Sequence, residues 1–283
     1  MKNFKNTLKI NNSLVNFEFP VVMGIVNITP DSFYSNSRNV CDIEILHAAE
    51  KILSDGAQII DIGGFSTRPN AENVSETEEI RRVCIAVELI LKHFPNAIIS
   101  VDTFRASVAT NVCENYNVHI INDVGGGMWD EQMFATVART QAAYILTHTS
   151  PTRLSMTEAF IYNDIAAEIM TFFNNKIKML NYLGINDIIL DFGFGFAKNT
   201  EQNYELFSKI KYFEIFNLPL LVGISRKSML QRFLHITADA ALNATTALNA
   251  LALANGADII RVHDVKEAVE AVKIYNKITE NIV

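Results

Sequence analysis

Short apolar runs that end in polar residues recur along the chain. They are VVMGIVN (21–27), AQIIDIGG (57–64), AIISVDT (97–103), VHIINDVGG (118–126), AYILTHTS (143–150), DIILDFGFGF (187–196), LPLLVGISRKS (218–228) and DIIRVHDV (258–265). The runs are continuous rather than alternating, which predicts strands covered on both faces, as in a parallel sheet. Between them lie segments of helical period: IEILHAAEKILSDG, SETEEIRRVCIAVELILKHF, RASVATNVCENY, DEQMFATVART, TEAFIYNDIAAEIMTFFNNKIKMLNYLG, TEQNYELFSKIKYF and ALNATTALNALALANG. Several stop at a glycine, a common helix end. About eight such alternations predict a single α/β domain over residues 1–283, a (β/α)8 TIM barrel with a short N-terminal extension of about residues 1–19.

In such a barrel the polar ends of the strands meet at one mouth, the C-terminal one. A doubly wound sheet would instead want a glycine-rich turn after its first strand, and Asn27-Ile28-Thr29-Pro30 is not one. The glycines at 125–127 and 193–195 fit neither dinucleotide nor Walker A spacing.

Composition narrows the partners. The 283 residues are 49% apolar and 19% charged, with a net charge of -7. That balance supplies a large core and argues against a nucleic-acid surface, which needs a basic stripe. Cys41, Cys84 and Cys113 are scattered without paired spacing and indicate neither disulfides nor a zinc site. The polar start MKNFKNTLKINNS lacks the apolar segment of a signal peptide, and no run approaches the roughly 18 residues of a membrane span. A reducing cytoplasm is the expected location.

Cations gather where the strands end. Ser66-Thr67-Arg68-Pro69 follows DIGG, Ser225-Arg226-Lys227-Ser228 follows Gly223, and Arg261-Val262-His263-Asp264 ends the last run. A lone Arg or Lys is ordinarily a surface ion pair. Three arginines, a lysine and a histidine converging on one mouth of an acidic protein point instead to a bound anion, which Arg grips through two parallel bonds. His263 can give or take a proton near neutral pH, so beside Arg261 it reads as a donor to a leaving phosphate.

Acids and amides sit where a core should exclude them: Asp61, Asp102, Asn122, Asp123 and Asp191 each close an apolar run. An unpaired buried acid costs several kcal/mol, so each requires a partner. A flat, nitrogen-rich heterocycle would satisfy Asp102, Asn122 and Asp191; Asp61 and Asp123 could equally cap neighbouring loops or helices. Phe194 and Phe196 are either core fillers or the wall of a glycine-spaced mobile loop facing an aromatic substrate. Trp129 reads as packing.

MGIVNITPDSF, DIGG followed by STRP, SVDT, INDV, GISRKS and RVHDV, in that order on successive strands, resemble the dihydropteroate synthase family from about Val21 to Val265. The resemblance implies the joining of 6-hydroxymethyl-7,8-dihydropterin pyrophosphate to 4-aminobenzoate, giving 7,8-dihydropteroate and pyrophosphate with Mg2+. It places Asn27 on the metal and pyrophosphate, and Asp102, Asn122, Asp191 and Lys227 on the pterin. Arg261 and His263 would hold the pyrophosphate, helped by Thr67 and Arg68. Thr67, Arg68, Pro69, Phe196 and Ser228 would form the aminobenzoate pocket, and Asp31, Ser32 and Phe33 belong to a mobile first loop. Asp102, Asp191, Lys227, Arg261 and His263 then carry the catalysis. The family is commonly dimeric, so a homodimer is expected, and the helices ALNATTALNALALANG and VKEAVEAVKIYNKI could supply the interface or simply pack on the barrel.

Four departures from the family pattern stand out. Thr147-His148-Thr149 replaces a usual Met-His-Met, Phe192 a proline, Phe65 a glutamate and Asn70 a glycine. They leave room for a pterin-binding paralogue without efficient turnover. A methyltetrahydrofolate-dependent methyltransferase barrel would share the pterin-facing acids but has no use for STRP, SRKS and RVHDV.

Overall fold

The computed structural model describes residues 7–10, 13–17, 20–28, 38–65, 74–155 and 159–280. Eight parallel strands close into a barrel in sequence order: β3 (Val21–Asn27), β4 (Ile59–Gly63), β5 (Ile98–Asp102), β6 (Ile120–Asp123), β7 (Ala143–Thr147), β8 (Ile188–Asp191), β9 (Leu220–Val222) and β10 (Ile259–Val262), with β10 returning to β3. The predicted (β/α)8 architecture is the observed one. Helices follow the strands: α1 (Arg38–Ser54), α2 (Glu76–His93), α3 (Ala106–Tyr116), α4 (Met133–Thr140), α5 (Ile165–Tyr182), α6 (Thr200–Ser208), α7 (Ser228–Leu234), α8 (Leu242–Ala254) and α9 (Val265–Glu280).

Helix starts are written locally. Ser75 Oγ accepts from the Glu78 N–H at 3.3 Å, and three glutamates in the first turn of α2 complement the helix dipole. Asn199 and Gln202 form a reciprocal capping box at α6. The helical segment expected to begin at Thr157 begins eight residues later. Asp164 ends the preceding stretch by accepting from the Ala166 and Ala167 N–H groups, and an N-cap residue holds extended rather than helical backbone.

Alternate strand positions separate two apolar layers. Val22, Ile60, Ile62, Ile99, Val101, Leu190 and Val262 face outward under the helices. Val21, Met23, Ile59, Ile120, Ala143, Ile145, Ile189, Leu221 and Ile259 face inward and fill the lower barrel. The segment before β3 supplies an antiparallel hairpin, β1 (Thr7–Ile10) and β2 (Ser13–Asn16), and buried Leu8 joins Phe17 against that inner layer. The hairpin thus closes the N-terminal end, leaving the C-terminal mouth for chemistry.

Candidate active site

Strand pleating decides which polar side chains meet. A strand sends alternate residues to one face, so the inward positions above Ile59, Ile120, Ile189 and Ile259 are Asp61, Asn122, Asp191 and Arg261. In the register of neighbouring strands Asn27 lies opposite Gly63, Gly63 opposite Asp102, and Asp102 opposite Asn122. The predicted heterocycle partners Asp102, Asn122 and Asp191 therefore project into one mouth with Arg261.

Arg261 is the centre of this group. Its Nε donates to Asp61 Oδ2 at 2.7 Å and its Nη2 to Asp102 Oδ2 at 2.7 Å. Asn122 Nδ2 donates to the same Asp61 oxygen at 3.0 Å. Asp61 is thus no loop cap; through Oδ2 it orients Arg261 and Asn122. Burial raises the Asp102 carboxyl to about 7, because the guanidinium that opposes the shift is shared with Asp61. The Arg261 guanidinium is held firmly charged, its two carboxylate partners outweighing the burial that opposes them.

The opposite wall carries amines. Asp191 accepts from the Gly193 N–H at 2.9 Å, and burial raises its carboxyl despite Lys227 nearby. Lys227 donates to the Phe194 carbonyl, lies 4.8 Å above the Phe196 ring, and is lowered by burial to about 8. Gly193 is required there: its φ is +60°, and a Cβ would come within 1.9 Å of the His148 carbonyl oxygen.

Lys198 is a member of this wall that sequence reasoning missed. Buried, it donates at 3.0 Å to the Gly193 and Phe196 carbonyls, and burial lowers its amine to about 7. The available signal was a lysine two residues after the glycine-spaced phenylalanines, but only the fold shows that it turns inward to bind its own loop.

The remaining expectations divide. Ser225 Oγ lies 3.2 Å from His263 Nδ1 and accepts the His263 N–H at 3.2 Å, fixing the exposed imidazole at the rim. Ser228 is exposed at the start of α7, and Asn27 is exposed at the end of β3. Asp31, Ser32 and Phe33, and Thr67, Arg68 and Pro69, lie outside the described residues. Trp129 packs, donating from Nε1 to the Ser150 carbonyl at 2.9 Å.

One reading is corrected, and two that the sequence left open are decided. Arg226 leaves the mouth for a two-pronged pair with Asp264, both contacts 2.8 Å, because its backbone turns at φ +54°. Asp123 points out of the barrel, where its carboxylate accepts from the Gly125 and Gly127 N–H groups and the Tyr144 hydroxyl. Phe194 is fully buried beside Phe192 and Phe207, a core filler, whereas Phe196 stays half-exposed at the mouth.

The departures also sort by face. Phe192 packs outside the barrel, 4.9 Å from Phe213. Phe65 meets Phe104 edge to face, with Arg153 4.8 Å above its ring. His148 points into an aromatic cluster of Phe172, Phe173 and Tyr162, and burial drives its imidazole neutral. Thr147 alone of these lies on the inward face of a barrel strand, in register with Asp191.

The family model for pterin binding enzymes matches residues 23–263. The dihydropteroate synthase of Escherichia coli (strain K12) is 40% identical over 257 residues, covering 90% of this chain and 90% of that protein. Among solved structures, the Yersinia pestis dihydropteroate synthase in a sulfonamide drug complex superposes with a TM-score of 0.87 at 37% identity, covering 97% of this chain and 99% of that one. The Xanthomonas albilineans dihydropteroate synthase with 4-aminobenzoic acid gives 0.88 at 29% identity, covering 97% and 98%. With its barrel, its buried acid and amide layer and its Arg261 centre, this chain belongs to the dihydropteroate synthase family of pterin-binding enzymes.

Proposed function

We propose that the site joins 6-hydroxymethyl-7,8-dihydropterin pyrophosphate to 4-aminobenzoate, releasing pyrophosphate and 7,8-dihydropteroate. The observation that carries this reading is the convergence of Asp102, Asn122 and Asp191 with Lys227 and Arg261 inside one barrel mouth. Acids and an amide oxygen accept from the N–H edge of the pterin, and Lys227 donates to its carbonyl and ring nitrogen. Departure of pyrophosphate leaves positive charge on the pterin methylene, delocalised into the ring. The carboxylates of Asp102 and Asp191 stabilise that charge as it develops.

Arg261 and His263 take the growing negative charge of the leaving group. With the carbon–oxygen bond to pyrophosphate broken, the neutral aniline nitrogen then attacks the cationic methylene carbon and loses its proton afterwards. Phe196, with Lys227 above it, walls the aminobenzoate side, and Ser228 with Thr67, Arg68 and Pro69 completes that pocket. The loop residues Asp31, Ser32 and Phe33 exclude the water that would otherwise capture the cation.

The donor set suits Mg2+. A magnesium ion keeps several waters and takes one or two protein oxygens plus substrate phosphates. The Asn27 amide is such an oxygen, and a Cβ at Gly63 would lie 3.5 Å from it and 3.7 Å from Asp102 Cβ. Among the described residues no group of three or more His, Cys, Asp or Glu forms a cage for a metal. Bound there, Mg2+ supplies charge neutralisation of the leaving group.

The test is pyrophosphate release by purified protein with dihydropterin pyrophosphate and Mg2+, with and without 4-aminobenzoate. Release that depends on 4-aminobenzoate supports the synthase. Pterin binding without release supports the paralogue. The relative from Yersinia pestis was solved with a sulfonamide, and sulfonamides are expected to compete with 4-aminobenzoate here.

The protein works as a homodimer in this reading. Small and apolar residues, among them Ala247, Ala250, Ile274 and Ile278, line an open groove between α8 and α9, and Ile274 and Ile278 are exposed. Ile274→Glu is expected to convert a dimer to monomer in light scattering; an unchanged mass removes this face as the interface. Among the described residues no helix is long and apolar enough to cross a membrane, and Cys84 and Cys113 are free thiols, as suits the cytoplasm.

A further inference from the structure

Four buried polar atoms on neighbouring strands have no hydrogen-bond partner: Asp61 Oδ1, Ser100 Oγ, Asn122 Oδ1 and Thr147 Oγ1. Each belongs to a side chain at an inward position of β4, β5, β6 or β7. A buried polar group left unpaired costs about 1–3 kcal/mol, and such groups in folded proteins call for an explanation such as water or a bound ligand. Asp61 and Asn122 already engage each other through their other polar atoms, and Asp61 engages Arg261 as well. Ser100 lies opposite Asp61 in register, two residues below Asp102 on β5. Thr147 stands apart because it is at the height of the site and serves nothing in it.

Its placement is specific. Thr147 is fully buried and pairs in register with Asp191. It is one inward step above Ile145, which pairs with Asn122. The hydroxyl is therefore set between the amide and the carboxylate that face the heterocycle. A valine of the same shape would fill this space without the cost of an unpaired hydroxyl.

We propose that Thr147 determines specificity in the pterin site, its hydroxyl hydrogen-bonding directly to the polar edge of the ring between Asn122 and Asp191. The inference rests on the pterin reading above. A hydroxyl can donate or accept, so Thr147 can face either a ring nitrogen or an N–H, whereas an ionised carboxylate only accepts and an ammonium only donates. The hydroxyl is held unpaired in the free protein and is satisfied by the ligand.

Thr147→Val and Thr147→Ser separate this role from packing. Titration with dihydropterin pyrophosphate is expected to give the valine variant a Kd about fivefold weaker, the fold-change for a hydrogen bond of about 1 kcal/mol. The KM for 4-aminobenzoate should not move, and serine should restore binding to within about twofold of the native value. The Tm of the ligand-free valine variant should equal or exceed that of the native protein, since the folded state loses an unpaired polar group. Native-like binding by the valine variant overturns the proposal. So does a lowered Tm, which would make the hydroxyl structural. If the native protein fails to bind dihydropterin pyrophosphate, the pterin reading itself falls, a result distinct from native binding that is insensitive to Thr147.

Discussion

The inward face of the barrel changes character within one pleat. Ile59, Ile189 and Ile259 fill the lower layer as packed hydrocarbon, and two residues further along the same strands, about 6 to 7 Å higher, stand Asp61, Asp191 and Arg261. Every lower side chain is satisfied by packing. The upper layer contains two carboxylates sharing one guanidinium, an acid and two lysines with pKa values displaced by burial, and polar atoms without partners. The same backbone thus buries oil where it needs stability and unmet hydrogen-bonding capacity where it needs a ligand. The strand sets the position of each side chain in both layers; its chemistry decides whether that rigidity serves folding or binding.

The sharpest break of this comparison is a matched pair on β10. Arg261→Ala should lower the rate of pyrophosphate release by about 10²–10³-fold. It should also cost about 3 kcal/mol of stability, since Asp61 and Asp102 lose their buried cation. Ile259→Ala, one inward step below, should cost about 2–5 kcal/mol in denaturant unfolding while kcat per folded molecule stays near the native value. Comparable losses of kcat from both variants would dissolve the division into layers.

Next in size is Phe196→Ala, which should raise the KM for 4-aminobenzoate about tenfold, equivalent to about 1.4 kcal/mol. Binding of dihydropterin pyrophosphate should stay unchanged. If Arg261→Ala and Phe196→Ala shift both substrates equally, the pocket is not divided as described.

A further test is a pH dependence. Burial holds the Asp102 carboxyl at about 7 instead of its ordinary 3.8. A carboxyl raised in this way contributes its stability fully below the unfolded value and loses it as pH climbs through the folded one. Asp102→Asn removes that loss. The Tm of the variant relative to the native protein should therefore rise between about pH 4 and about pH 7. A flat difference would mean that Arg261 keeps Asp102 ionised throughout.

Much of this was legible in the chain. Eight apolar runs with polar ends gave the strands, and strand ends gave Asp102, Asn122, Asp191, Lys227, Arg261 and His263 as neighbours, because a closed parallel barrel brings every strand end to one mouth. The parity of the pleat was harder to read. Asn122 and Asp123 are adjacent, yet one enters the site and the other caps the Gly125 and Gly127 loop outside the barrel. Runs apolar on both faces do not announce which parity points inward. Arg226 and Lys227 show the same ambiguity, resolved by a left-handed turn at Arg226 that sends one side chain to Asp264 and the other to the Phe194 carbonyl.

The sequence by itself determined the barrel, the mouth and the residue types gathered there, because apolar periodicity and strand-end polarity are local properties of the chain. Tertiary structure alone decided the partners: Asp61 as the brace of Arg261, Lys198 as the tie of its own loop, and Thr147 as an inward hydroxyl with nothing to bind. Those outcomes depend on register between strands far apart in sequence and on burial, which fixes the cost of each unpaired group. Neither quantity is written in any single stretch of residues.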